Sequence, residues 1–138
     1  MTVWILYDYH ERVEGVYTPE GKELKEQERY EQALQRRSSI TEHMTAEIVE
    51  LKNLRQPYID EAEMLVSAEA EAKEANNTGL LKSVRKQRKV LLKQAEHLTY
   101  KIHCLEDKIL EAQRLTKHEI MSTYGDYRCW EEHVLEGA

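Results

Sequence analysis

Near the end of the chain two tyrosines, an arginine and a tryptophan stand close together, in Ser122-Thr123-Tyr124-Gly125-Asp126-Tyr127-Arg128-Cys129-Trp130. An aromatic face stacks on a nucleobase, a guanidinium forks onto phosphate, and an Asn amide reads a base edge, so the cluster has residue types that a nucleotide pocket requires. These groups bind without performing chemistry. No Ser/His/Asp order, carboxylate dyad or Gly-rich phosphate loop accompanies them, and Gly21-Lys22 lacks the rest of a P-loop. The six histidines, at 10, 43, 97, 103, 118 and 133, are scattered. His97 and His103 lie six apart, a poor spacing for two ligands on one helical face, so neither a metal site nor a cofactor is expected. The residue types predict a binding protein and not an enzyme.

The elements that must position such a cluster follow from composition and pattern. A chain of 138 residues fits one domain. With 41% hydrophobic and 33% charged residues, no Phe, five Gly and two Pro, the profile favours elongated helices over a thick globular core. One helical hairpin of this composition buries little, so self-association into a dimer or larger homo-oligomer is expected to complete the core. The net charge of −6 weighs against non-specific binding of duplex DNA or an anionic membrane. Cys104 and Cys129 are too few and too far apart for a disulfide framework, which suits reduced cytoplasm, that of a host cell if the chain is viral. The N-terminal MTVWILYDYHE is apolar for only about six residues and lacks basic residues before them, so it reads as a strand, not a signal peptide or membrane span.

Val3, Ile5, Tyr7 and Tyr9 alternate with Trp4, Leu6 and Asp8, as on the two faces of a strand. The polar turn His10-Glu11-Arg12 and the run 13–18 complete a β-hairpin over residues 1–18. Thr18-Pro19-Glu20 then announces a helix, with a Thr cap, a Pro at the first helical position and acids in the first turn. A helical arm is predicted over 19–75, interrupted at Pro57 as either a kink or a break. Its inward stripe runs through Leu24, Tyr30, Leu34, Met44, Ile48 and Leu51, with Ile40 beside it. Asn76-Asn77-Thr78-Gly79 is the clearest helix stop and the expected tip of a helical hairpin.

The second arm, a long helix predicted over 79–118, carries the strongest pattern. Leu81, Val84, Arg88, Leu91, Ala95, Leu98, Ile102, Leu105, Ile109 and Ala112 recur at alternating spacings of three and four, the period of a coiled-coil seam. Only Arg88 breaks the apolar run, and a guanidinium at a seam position is costly unless an acid or an anionic ligand meets it. A salt bridge to the acidic first arm is the plainer explanation. Lys82, Arg85, Lys86, Arg88, Lys89 and Lys93 face an arm rich in Asp60, Glu61, Glu63, Glu69, Glu71 and Glu74, so the folded-back arms are matched in charge. That match argues against a nucleic-acid role for the basic run.

Over residues 122–135 the chain changes character again: Gly125-Asp126 offers turn chemistry, and Tyr127, Cys129 and Glu131 alternate with Arg128, Trp130 and Glu132 as in a strand. The N-terminal hairpin is the expected partner. The predicted fold is therefore α+β, mainly α, with a small antiparallel sheet from both chain termini at the base of a long antiparallel helical hairpin. Most of the aromatics are expected to pack that sheet on the helices; Arg128 is harder to explain by packing.

This order of parts, from the hairpin VWILYDYHERVEGVYT through long charged helices to the tyrosine-rich STYGDYRCWEEH, resembles the Thoeris anti-defence 1 family of small bacteriophage proteins. The resemblance implies a non-enzymatic sponge that binds a cyclic ADP-ribose signal made by bacterial TIR-domain proteins, keeps it intact and hides it from the defence effector. It also implies a dimer or larger oligomer and, in some members, a separate site for cyclic oligonucleotides. Tyr124, Tyr127 and Arg128 match the implied stacking and diphosphate roles, with Asn77 and Arg88 as further matches, and Arg12 stands ready to close an anion site if the chain ends meet. The alternative is a coiled-coil adaptor or inhibitor that docks on a host protein through the outer face of its helices.

Overall fold

The computed structural model describes residues 1–136 of the chain. Its elements are β1 (Thr2–Tyr7), β2 (Val13–Tyr17), α1 (Pro19–Glu74), α2 (Thr78–Gln113), α3 (Lys117–Tyr124) and β3 (Cys129–Val134). The fold is mainly helical, with one three-stranded antiparallel sheet drawn from both termini in the order β2-β1-β3. Two compact units divide the chain: Met1–Thr41 with Ala112–Ala138, and Glu42–Glu111. None of the helices is long and apolar enough to cross a membrane, among the described residues.

In the first unit the sheet grows from the central strand β1. Leu6 faces Gly15 on one side and Trp130 on the other, and Trp4 pairs with Tyr17 and Glu132. The Asp8 carboxylate accepts the backbone N–H groups of His10 and Arg12, at 2.8 and 2.9 Å, and so closes the turn with Glu11 in the left-handed region. Tyr9 falls in this turn, beyond the end of β1. The start of α1 follows the sequence: Thr18 Oγ1 accepts the Gly21 N–H at 3.1 Å, and Pro19 opens the helix. Leu6, Ala33, Ala112 and Ile120 are buried in this unit. Leu24, expected on the inward stripe, is exposed: Glu26, Arg29 and Ala33 share the face of α1 that meets the sheet and loop, and a residue two positions before Glu26 points the other way. Ile40 is exposed as well.

The second unit is a two-helix hairpin. All ten expected seam positions of α2 are buried or half-buried, as the three-four spacing requires. On α1 the facing seam includes buried Ile48, Ala62 and Ala72. Of the two alternatives at Pro57 the break does not occur: α1 runs through it as one helix. The ring removes a single amide donor, the one that would reach the Asn53 carbonyl, while ties on both sides hold the helix to α2: Arg55 to Thr99 at 2.9 Å and Glu69 to Arg85 at 2.9 Å. At the tip Asn76, not Gly79, takes the left-handed conformation (φ 51°), and Gly79 lies in the first turn of α2. The predicted long helix 79–118 also ends early, at Gln113. Thr116 is extended and caps α3, with its hydroxyl accepting from Glu119 N–H and the Glu119 carboxylate accepting from Thr116 N–H.

Candidate functional site

Within the first unit, α1, α3 and β3 enclose an open groove of about 800 Å³ lined by Arg29, Lys117, Arg128, Tyr127, Trp130 and their neighbours. Each wall has a local cause. The capping box turns α3 against the unit and buries Ile120. Gly125 then ends the helix, its N–H donating to Met121 O at 3.0 Å. Arg29 and Arg36 lie seven residues apart, on one face of α1, and hold the next loop by its backbone. Arg36 donates to Tyr124 O at 2.9 Å and to the Asp126 carboxylate at 3.0 Å, and Arg29 donates to Asp126 O at 3.0 Å. Trp130 anchors β3 through its indole N–H to Glu26 Oε1 at 2.7 Å, with Tyr17 edge-on at 5.4 Å. Glu26 is also ion-paired to Arg29. Lys22 Nζ stands 3.5 Å from the centre of the Trp4 ring.

Arg128 donates through Nε to Glu14 at 2.8 Å and through Nη1 to Tyr127 O at 2.7 Å, which orients the guanidinium without using Nη2. Beside it a smaller cleft, about 140 Å³, gathers Lys25, Arg29, Arg36 and Arg128 against only Glu14 and Asp126. Each of these four cations has a carboxylate partner: Arg128 with Glu14, Arg36 with Asp126, Arg29 with Glu26 and Lys25 with Glu28. The hydrogen bond from Arg36 holds the Asp126 carboxyl below the usual carboxylate range; partial desolvation opposes this, and the charges of Arg36, Arg128 and Arg29 add to the lowering. A depressed folded pKa contributes stability that is complete above the ordinary carboxylate value, about 3.9, and is lost as pH falls through the folded value. Asp126→Asn is therefore expected to flatten the acid limb of a melting-temperature profile below about pH 4. An unchanged limb would show that the exposed Arg36–Asp126 pair contributes nothing.

Of the six residues singled out from sequence, Tyr127 and Arg128 line the groove together. Tyr127 packs edge-on against Tyr9, 5.9 Å between ring centres, and accepts a hydrogen bond from the Cys129 thiol. Tyr124 contributes its carbonyl, which fixes Arg36, while its residue ends α3 and does not start a strand. Arg12 lies in the β1–β2 turn and does not line the groove. Asn77 and Arg88 belong to the other unit and have structural partners there. Asn77 Oδ1 caps α2 by accepting Leu80 N–H at 3.1 Å, and Arg88 donates to Glu69 Oε2 at 3.0 Å, the salt bridge expected of a seam arginine. The Arg85 hydrogen bond, with Arg88 adding to it, holds the Glu69 carboxyl below its ordinary range.

Sequence reading passed over Arg29, Arg36, Lys117 and Asp126. The signal for the two arginines was their seven-residue spacing; the signal for α3 was Thr116-Lys117-His118-Glu119, a capping-box pattern. Among the described residues no group of three or more His, Cys, Asp or Glu is arranged to hold a metal ion.

Fold and site together define a class: a mainly helical chain whose termini form a three-stranded sheet beside a groove lined by guanidinium, ammonium and aromatic groups. No protein-family model, curated protein or solved structure matches it.

Proposed function

We propose that this chain is a non-enzymatic binding protein that captures a cyclic ADP-ribose-type nucleotide in the groove between α1, α3 and β3. The observation that carries the reading is the pairing of aromatic rings, Tyr127 and Trp130, with Arg29, Lys117 and Arg128 in one concavity. Its volume falls in the range of small-molecule sites, about 300 to 1,000 Å³. Diphosphate seats against Arg128, whose Nη2 is unused, and against Arg29, in competition with the Glu14 and Glu26 carboxylates that pair with them. The adenine stacks on an exposed ring, for which Tyr127 is the available face. The resemblance to the Thoeris anti-defence 1 proteins supports the choice of ligand and gives the role: holding the signal intact in the host cytoplasm so that a TIR-based defence is not triggered.

The test is calorimetric titration with cyclic ADP-ribose, followed by heating of the complex. Binding and recovery of the unaltered nucleotide are expected. Arg128→Ala removes one charge-assisted fork, about 1.5 to 3 kcal/mol, so affinity is expected to fall at least about tenfold while the circular dichroism melt stays close to that of the parent. Absence of binding to any cyclic ADP-ribose isomer, or recovery of a hydrolysed product, would overturn the proposal.

A further inference from the structure

The four carboxylates that pair with the cations of the small cleft are held very differently. Asp126 accepts from Arg36, while Arg29 holds its backbone carbonyl. Glu26 accepts the Trp130 indole N–H as well as pairing with Arg29. Glu28 pairs with Lys25 one turn away on the same helix and does not line the cleft. Glu14 does line it, and among the described residues Arg128 is the only hydrogen-bond partner of its carboxylate. β2 is an edge strand, and Glu14 lies at its bulge: Leu6 faces Gly15 and Tyr7 faces Val13, so Glu14 has no opposite residue in β1. Its contact with Arg128 uses half of what the guanidinium offers. Nε and Nη2 lie on one edge, against which two oxygens of a phosphate fit side by side. Glu14 takes Nε through a single oxygen, and Nη2 on that edge is unused. Nη1 is fixed separately by donating to Tyr127 O at 2.7 Å, so the guanidinium keeps its direction without Glu14.

We propose that Glu14 is a tethered stand-in for a ligand phosphate, occupying the Nε position of Arg128 and swinging aside when a diphosphate takes the whole Nε–Nη2 edge. The exchange replaces a one-donor contact by a two-donor one. The pair it breaks is weak, because both side chains are partly open to water, 23% for Arg128 and 32% for Glu14. Glu26 stays in place, since its departure would strip the Trp130 indole of its partner. Glu14 is therefore a built-in competitor that sets the affinity of the groove, and not a support for it. The sign of its effect follows: removing its charge strengthens binding. This deepens the nucleotide reading and rests on the diphosphate seat at Arg128.

Calorimetric titration of the full chain with inorganic pyrophosphate and with cyclic ADP-ribose tests it. Glu14→Gln keeps the shape of the side chain and removes its charge, and is expected to tighten binding of both by about two- to fivefold. Glu23→Gln removes the same charge from an exposed position of α1 that lines neither the groove nor the cleft, and is expected to leave both affinities unchanged within error. Glu14→Ala repeats the test should Glu14→Gln melt early by circular dichroism. Equal or weaker binding by both Glu14 variants, or equal tightening by Glu23→Gln, would overturn the proposal. Pyrophosphate, which needs only the cations, separates this inference from the choice of nucleotide. Tightening of pyrophosphate by Glu14→Gln, with no binding of any cyclic ADP-ribose isomer, would support the role of Glu14 and overturn the nucleotide reading alone.

Discussion

Leu6→Ala is expected to lower stability by about 2 to 5 kcal/mol, with the upper part of that range favoured by what surrounds the side chain. Leu6 is fully buried, one residue before the end of the central strand. Across the register it faces Gly15, which has no side chain to move into a void, and Trp130, which the Glu26 hydrogen bond and the Tyr17 ring hold in place. The cavity therefore stays open, and the cost of the lost methyl groups is not recovered by collapse. Domains of this size are stable by only about 5 to 15 kcal/mol, so the loss is a large share of the whole. Both tryptophans of the chain, Trp4 and Trp130, lie in this unit, so their fluorescence reports its unfolding in urea without interference from the helical unit. The midpoint is expected to fall clearly for Leu6→Ala and only slightly for Leu6→Met, which conserves volume. A loss below about 1 kcal/mol for Leu6→Ala would show that the sheet does not depend on this contact.

How much of this was legible in the sequence depends on which force decides each element. The α2 seam was readable because a spacing of three and four over ten positions allows only one face to be inward. The strands and their meeting were readable from alternation and from the change of character after residue 121. Pro57 left break or kinked continuation open in the sequence because the penalty of a proline is local, whereas the ties of Arg55 and Glu69 to α2, which favour continuity, act from outside the segment. The break after Gln113 was hidden because the apolar pattern continues toward it, and a single cap at Thr116 settles the matter. Arg88 and Asn77 drew notice as polar groups in unusual places, and both have ordinary structural explanations, a salt bridge and a helix cap. The cations that build the groove's wall escaped notice for the opposite reason. Arg29 and Arg36 look like two more charges on a solvated helix, and only the fold brings a loop 90 residues away against them.

That loop is also where the smallest change is expected to do the most to the site. Gly125 has φ −80° and ψ 158°, a conformation open to any residue, so the requirement for glycine is space. A Cβ at this position would lie 2.5 Å from the Met121 carbonyl oxygen and 3.3 Å from its carbon, and both belong to backbone that cannot turn aside. Relief requires Gly125 to move, which breaks its N–H bond to Met121 O and shifts the carbonyls of Tyr124 and Asp126 that Arg36 and Arg29 hold. Gly125→Ala is accordingly expected to cost about 3 kcal/mol, at the top of the usual range for overpacking. It is also expected to displace Tyr127 and Arg128, so capture of cyclic ADP-ribose should fall by more than the single Arg128→Ala change produces. Gly79→Ala supplies the contrast, since the nearest atom to its Cβ is 3.8 Å away and the residue is helical. There alanine is expected to be neutral or to stabilise by up to about 1 kcal/mol. Thermal melts and titrations of the two variants side by side separate the effect of the added methyl from the effect of its place. Equal melting temperatures for the two would mean that the turn after α3 yields freely and that the groove's shape is not fixed by it.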